Sequence, residues 1–331
     1  MRRIKPRKLD TPFAVWSDGV HLVDTPIWCD ARRRRDICFA SAFDRVAPRG
    51  HGQLIATRET LALLDVSGEQ LAGSLTVPLR RVFSLGTLRL ELFPTDSGLG
   101  AAGLRVEHQG RNVVYAGAVQ PHAGLGDGAD VRRCDAVVVD APFGEAKHKF
   151  APPQDTITQL HTWVAQRVKK QQTAVVFVDN YARGLDVAYA LRDVASLSAH
   201  RGIITLAKRL SSLSGGPPLH VPRAISAKRA SVVLWPLAKR QSLPLTKLMA
   251  PVATAWVSGD AIDRSLVRAV AVDKAFAWSH AAGREPLLAW IAATHAKQVF
   301  VTGRCAVEVA AAVGAHATVL GPPVQLPLFV T

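Results

Sequence analysis

Apolar positions in residues 1–145 fall in short runs separated by turn residues, which predicts strands, whereas apolar strands alternate with helix-period stretches further along. Residues 13–16 and 20–23 flank Ser17-Asp18-Gly19 and predict a hairpin. Residues 37–40 and 54–56 read as buried strands, with a short helix over 58–64 after the second. Residues 75–119 form a strand meander in which 104–107 and 112–115 are joined by the turn His108-Gln109-Gly110-Arg111. The apolar run 136–139 ends in Asp140.

Pro152-Pro153 marks a boundary, because paired prolines interrupt regular structure. Beyond it the pattern predicts a helix over 157–168, a strand over 174–178 and a helix over 185–191. Ile203-Ile204 follows, then a helix over 206–213, the loop Ser214-Gly215-Gly216-Pro217-Pro218 and a strand over 231–235. The C-terminal part restarts with 254–257 and 275–278 and ends in the strand 299–302 and the helix 306–313. The glycine run Gly124-Leu125-Gly126-Asp127-Gly128 follows no predicted strand and reads as a flexible turn.

Composition adds a polyanion to the picture. The 331 residues carry 41 Lys plus Arg against 26 Asp plus Glu, a formal charge of +15. Basic clusters comprise Arg2, Arg3, Lys5, Arg7 and Lys8; Arg32, Arg33, Arg34 and Arg35; and the pairs Lys169-Lys170, Lys208-Arg209, Lys228-Arg229 and Lys239-Arg240. They read either as nucleic-acid contacts or as solvated charge. The four cysteines are far apart without a Cys-x-x-Cys pair, so they imply buried thiols and no disulfide framework. No run of eighteen apolar residues and no apolar leader is present, which predicts a cytoplasmic protein with no membrane partner.

The loop Ala40-Ser41-Ala42-Phe43-Asp44-Arg45 with Gly50-His51-Gly52, lying between two strands and before Thr57-Arg58-Glu59-Thr60, resembles the HxHxDH region of the metallo-β-lactamase superfamily. In particular it is similar to the bacterial ligase-associated DNA exonucleases, relatives of the β-CASP mRNA 3′-end processing nucleases. The resemblance continues through Leu99-Gly100-Ala101-Ala102, Arg133-Cys134-Asp135 with Phe143-Gly144, His200-Arg201-Gly202, Val257-Ser258-Gly259 and Ser279-His280-Ala281. It implies an α/β fold: an αββα sandwich from residues 1–148 and 253–331, with a β-CASP-like α/β cap inserted at 149–252.

That family's chemistry needs paired zinc ions, each about 2.0 to 2.2 Å from imidazole or carboxylate ligands, sharing a water that ionises near neutral pH. With Asp44 as the loop aspartate, the resemblance puts Ala40, Ala42 and Arg45 at histidine positions. The later histidine falls on Ser97 beside Asp96, the bridging aspartate on Ala118, and the C-terminal histidine on Gly303. Alanine and glycine offer no ligand atom and arginine no deprotonated form, so no resident cofactor is expected. No HxH or HxxxH lies between residues 30 and 60, so a register shift restores nothing.

The remnants are Asp24, Asp44, Asp140 and His280. The carboxylates read as loop organisers or as residual catalytic groups, and His280 as a phosphate-positioning or a structural histidine. Three functions follow. The first is an inactive β-CASP-like protein that binds DNA or RNA, or an active paralogue nuclease or ligase-associated repair protein. Its contacts would be Arg32, Arg33, Arg34, Arg35, Arg45, Lys208, Arg209, Lys239, Arg240 and Arg304. The second is an active phosphoesterase with zinc at a remodelled site drawn from Asp44, His51, Asp96 and His280. The third is a structural subunit of a larger assembly.

Overall fold

The computed structural model describes residues 12–46, 50–64, 73–194, 196–213, 222–225, 231–244, 246, 248 and 250–322. The basic segment at residues 2–8, Lys228-Arg229 and the loop at 214–218 lie outside the described residues.

The first sheet holds six short strands: β1 (Ala14–Trp16), β2 (Val20–Leu22), β3 (Ile27–Cys29), β4 (Ile37–Phe39), β5 (Gln53–Ala56) and β6 (Leu75–Thr76), in that spatial order, with α1 (Arg58–Leu64) after β5. The predicted hairpin is β1 with β2. The meander is β7 (Val82–Leu85), β8 (Leu88–Pro94), β9 (Ala102–His108) and β10 (Arg111–Gly117), all antiparallel. Gln109 and Gly110 turn β9 into β10 with φ of 49° and 75°, the left-handed pair that a tight hairpin requires. β11 (Ala136–Asp140) joins β10 in parallel and is buried at all five positions.

The chain then builds a third sheet. In order come α2 (Pro153–Lys169), β12 (Thr173–Val178), α3 (Tyr181–Ala190), β13 (Leu197–Ala199), α4 (Arg201–Ser211), β14 (Val232–Pro236), β15 (Val252–Ser258), α5 (Arg264–Val270) and β16 (Lys274–Ala277). The sheet is wholly parallel, ordered β13-β14-β12-β15-β16, and its central strands are near-continuous apolar runs because both faces are covered. The chain returns through α6 (Arg284–Ala293) to β17 (Gln298–Thr302), α7 (Ala306–Val313) and β18 (Ala317–Val319). β17 pairs with β11, completing a seven-stranded second sheet.

Two expectations are corrected. The helix predicted over 206–213 is α4, which begins at Arg201 and so includes Ile203 and Ile204, with the three-residue β13 just before it. The strands predicted at 254–257 and 275–278 do not open the returning segment: β15 pairs with β12 from Thr173↔Val252 to Val178↔Val257, and β16 extends that sheet. The third sheet therefore uses residues to Ala277.

The first two sheets pack face to face through Ile27, Phe39, Ile55, Leu90, Leu92, Leu104 and Val138. α1 covers the outer face of the first sheet through Leu61 and Leu64, and α6 and α7 cover the outer face of the second through Leu287, Trp290 and Val309. The result is four layers. The third-sheet unit packs on the sandwich where Leu63 of α1, Leu99 and Leu125 meet Leu185 and Trp278. The mixed α/β class expected from the sequence is observed. No helix among the described residues is long and apolar enough to cross a membrane.

Candidate functional site

Several strands of the sandwich end at one edge: β3 leads into Asp30, β4 into the loop at 40–46, β11 ends in Asp140 and β17 in Thr302. The register Asp140↔Thr302 between β11 and β17 sets those two side chains beside each other, and the Thr302 hydroxyl donates to Asp140 Oδ1 at 3.1 Å. Asp140 Oδ2 accepts a 2.6 Å bond from the Arg45 guanidinium. Burial pushes the Arg45 pKa down, but the carboxylates of Asp140, Asp30 and Asp44 outweigh it and hold the group protonated.

Asp30 is the second anchor. Its carboxylate accepts from the Ser41 N–H at 2.8 Å, the Ser41 hydroxyl at 2.5 Å and the Tyr115 hydroxyl at 2.8 Å. Burial pushes the Asp30 pKa up, and these bonds with Arg45 oppose that rise. Burial and the Asp30 charge push the Tyr115 phenol well up, so it remains a donor. The loop that resembles a metal-ligand loop is thus fastened by its own donors.

The residues at the expected ligand positions do not suit zinc. Ala40 and Ala118 are buried apolar groups, Arg45 is a cation, and Ser97 exchanges a 3.0 Å bond with the Thr95 hydroxyl. Gly303 has φ +95°, and a Cβ there would lie 2.5 Å from Asp140 Oδ1 and 2.9 Å from the Ala141 backbone, so this backbone has no room for an imidazole. Asp44, exposed beside Arg45, contributes charge only. His51 Nδ1 accepts from the Arg35 N–H at 3.2 Å.

Asp24 does not reach the site. It has φ +64° and pairs with Arg111 at 2.7 Å across the outer rim. Asp30 stands where the sequence reading expected Asp24, and its signal was the same: a short apolar strand, residues 27–29, ending in an aspartate.

His280 opens into a neighbouring cavity of about 290 Å³ between the sandwich loops and the third-sheet unit. Its Nε2 abuts the carboxylate of Asp186 on α3, a residue 1% exposed. Asp96 lines the same cavity with φ +50°, accepts from the Gly128 N–H at 3.2 Å, and is pushed by burial up to about 6. The glycine run at 124–128 is therefore a wrap around Asp96: a Cβ on Gly126 would sit 2.6 Å from Asp96 Oδ1.

Glu145, His148 and Cys305 are the one group of three possible metal ligands within 4.8 Å among the described residues. His148 Nδ1 already accepts N–H bonds from Gly144 and Glu145, each 3.1 Å. Burial pushes the His148 pKa down and the Cys305 thiol up, leaving a neutral imidazole and a protonated thiol. These bonds, with the Cys305 Sγ 3.6 Å from the Pro142 carbonyl, fasten the loop at 142–148.

The basic clusters divide by partner. Arg33 pairs with Asp18 at 3.1 Å, Arg35 lies over the Trp28 ring at 3.7 Å, and Arg304 pairs with Asp260 at 2.6 Å. Arg240 donates to the Val270 and Ala271 carbonyls at the end of α5, where a helix end favours a cation. Lys208 and Arg209 lie in the last turn of α4. Arg32, Arg34, Lys208 and Lys239 are exposed, with no ion-pair partner among the described residues.

No family model and no curated protein matches the chain. Its fold is similar to that of a protein of unknown function from Enterococcus faecalis V583, known from a crystal structure: TM-score 0.52 and 14% identity, over 80% of this chain and 74% of that one.

Proposed function

We propose that this chain is a non-catalytic relative of the β-CASP nucleases of the metallo-β-lactamase superfamily, and that it binds the backbone of a nucleic acid through outward-facing basic side chains. The observation that carries the reading is the Arg45–Asp140 pair. A guanidinium from a ligand-position residue neutralises the acidic group that hydrolysis would need at a metal pair, and the positions around it offer no imidazole. The four-layer sandwich, with its second sheet interrupted between β11 and β17 by a parallel-sheet unit, supports the family reading.

The electrostatics favour the outer surface over the old centre as the phosphate contact. Arg45 and Arg304 are each paired with a carboxylate, whereas Arg32, Arg34, Lys208 and Lys239 present uncompensated charge in a chain of net +15. An active paralogue or a ligase-associated repair protein is the partner the resemblance suggests.

The test is fluorescence anisotropy with labelled single-stranded and duplex oligonucleotides across a salt series, with cleavage followed in zinc and in manganese. Binding with a log–log salt slope of about −3 or steeper on duplex, from four phosphate contacts at about 0.9 each, and no cleavage is expected. Reversing Arg32, Arg34, Lys208 and Lys239 to Glu should abolish binding. Metal-dependent cleavage lost in Asp140→Ala would overturn the non-catalytic reading, and no affinity at low salt the nucleic-acid reading.

A further inference from the structure

We propose that the cavity between the sandwich loops and the third-sheet unit is a binding site for a small organic cation, an amine carrying an apolar body, held by Glu59, Asp96 and Asp186.

The charge of the lining is the first ground. In a protein of net +15, this cavity is lined by three carboxylates and one histidine and by no lysine or arginine. Asp186 supplies the second. It is 1% exposed; its Oδ2 abuts His280 Nε2, and its Oδ1 has no hydrogen-bond partner. A buried carboxylate oxygen left without a donor is costly, and an ammonium group supplies that donor. Arg183, one turn earlier on α3, shares its field among Asp186, Asp179 and Asp44 and keeps one guanidinium nitrogen unpartnered, so it does not complete Asp186.

The walls identify the rest of the ligand. Leu79, Leu99, Leu125 and Trp278 line the cavity, and its volume of about 290 Å³ suits a body of small-ligand size. A metal ion suits the same acids less well: Asp96 does not join Asp186 and His280 in a group of three ligand atoms within 4.8 Å of one another, as one ion would require. The same carboxylates repel phosphate, so the site is independent of nucleic-acid binding at the outer surface.

The test is calorimetry with three probes of one shape: 2-phenylethylamine, 2-phenylethanol and 3-phenylpropionate. The amine should bind at least about tenfold more tightly than the alcohol, with no binding of the carboxylate. Glu59→Gln with Asp96→Asn should weaken the amine about tenfold or more and leave the alcohol unchanged. Leu125→Trp, which fills the cavity without altering a charge, should abolish amine binding while circular dichroism and oligonucleotide affinity stay as in the parent. Equal affinity for amine and alcohol, no heat from the amine at millimolar concentration, or undiminished amine binding in either variant would overturn the proposal.

Discussion

The centre at Asp30 and Asp140 and the cavity at Asp96 and Asp186 both gather carboxylates near loops of the sandwich, but they treat those carboxylates in opposite ways. At the first, each acid is met by this chain's own donors: Ser41 and Tyr115 on Asp30, Arg45 and Thr302 on Asp140. At the second, Asp186 Oδ1 has no hydrogen-bond partner and Asp96 sits in a cavity whose lining holds no Lys or Arg. Carboxylates gathered on one scaffold thus have two structural outcomes. A closed centre contributes stability, and an open one keeps the capacity to take a ligand.

The largest effect that can break this contrast is at Asp30. Asp30→Ala removes three charge-assisted acceptor bonds and strands the Ser41 and Tyr115 donors, so it should cost about 4 kcal/mol in urea denaturation. A loss below about 1 kcal/mol would mean that the loop at 40–46 is held by something else. Next comes Arg45→Met, which leaves Asp140 with Thr302 alone. Because the Arg45 side chain is 40% exposed and the Asp140 side chain 9%, the cost should be about 2 kcal/mol, below that of a fully buried pair. Adding Asp140→Asn should recover at least half of it, and a double variant as unstable as the sum of both single variants would show that the pair is not coupled.

Tyr115→Phe sharpens the same comparison at a smaller scale. It deletes one bond to Asp30, leaves the other two, and should cost about 1 to 2 kcal/mol by denaturant midpoint.

The parts of this architecture that sequence reveals are those with local causes. The β9–β10 turn needs left-handed residues and has Gln109-Gly110; β11 is apolar throughout because it is covered on both faces. What sequence hides is tertiary. Asp24 and Asp30 both follow short strands and both have positive φ, yet only Asp30 meets a serine 11 residues away and a tyrosine 85 residues away. β15 looks equally apt for either sheet, and only its pairing with β12 assigns it. Asp186 lies in the helix predicted over 185–191; the carboxylate between Leu185 and Val187 is the available signal, and its burial is a tertiary property.

The remaining effect is a pH dependence at the open site. Burial, the leading cause, raises Asp96 from 3.8 to about 6, against the pull of N–H groups from the glycine run. The folded protein therefore binds this proton more tightly than the unfolded chain does. The resulting stabilisation is fully present below pH 3.8 and is lost as pH rises towards about 6. Asp96→Asn removes the titration and keeps an oxygen for the Gly128 N–H. Relative to the parent, the variant should gain stability as pH rises through that window and hold a constant difference above it, read by denaturation at half-unit pH steps. A difference that stays flat through the window would place Asp96 with the satisfied acids of the closed centre, and the contrast between the two regions would then rest on Asp186 alone.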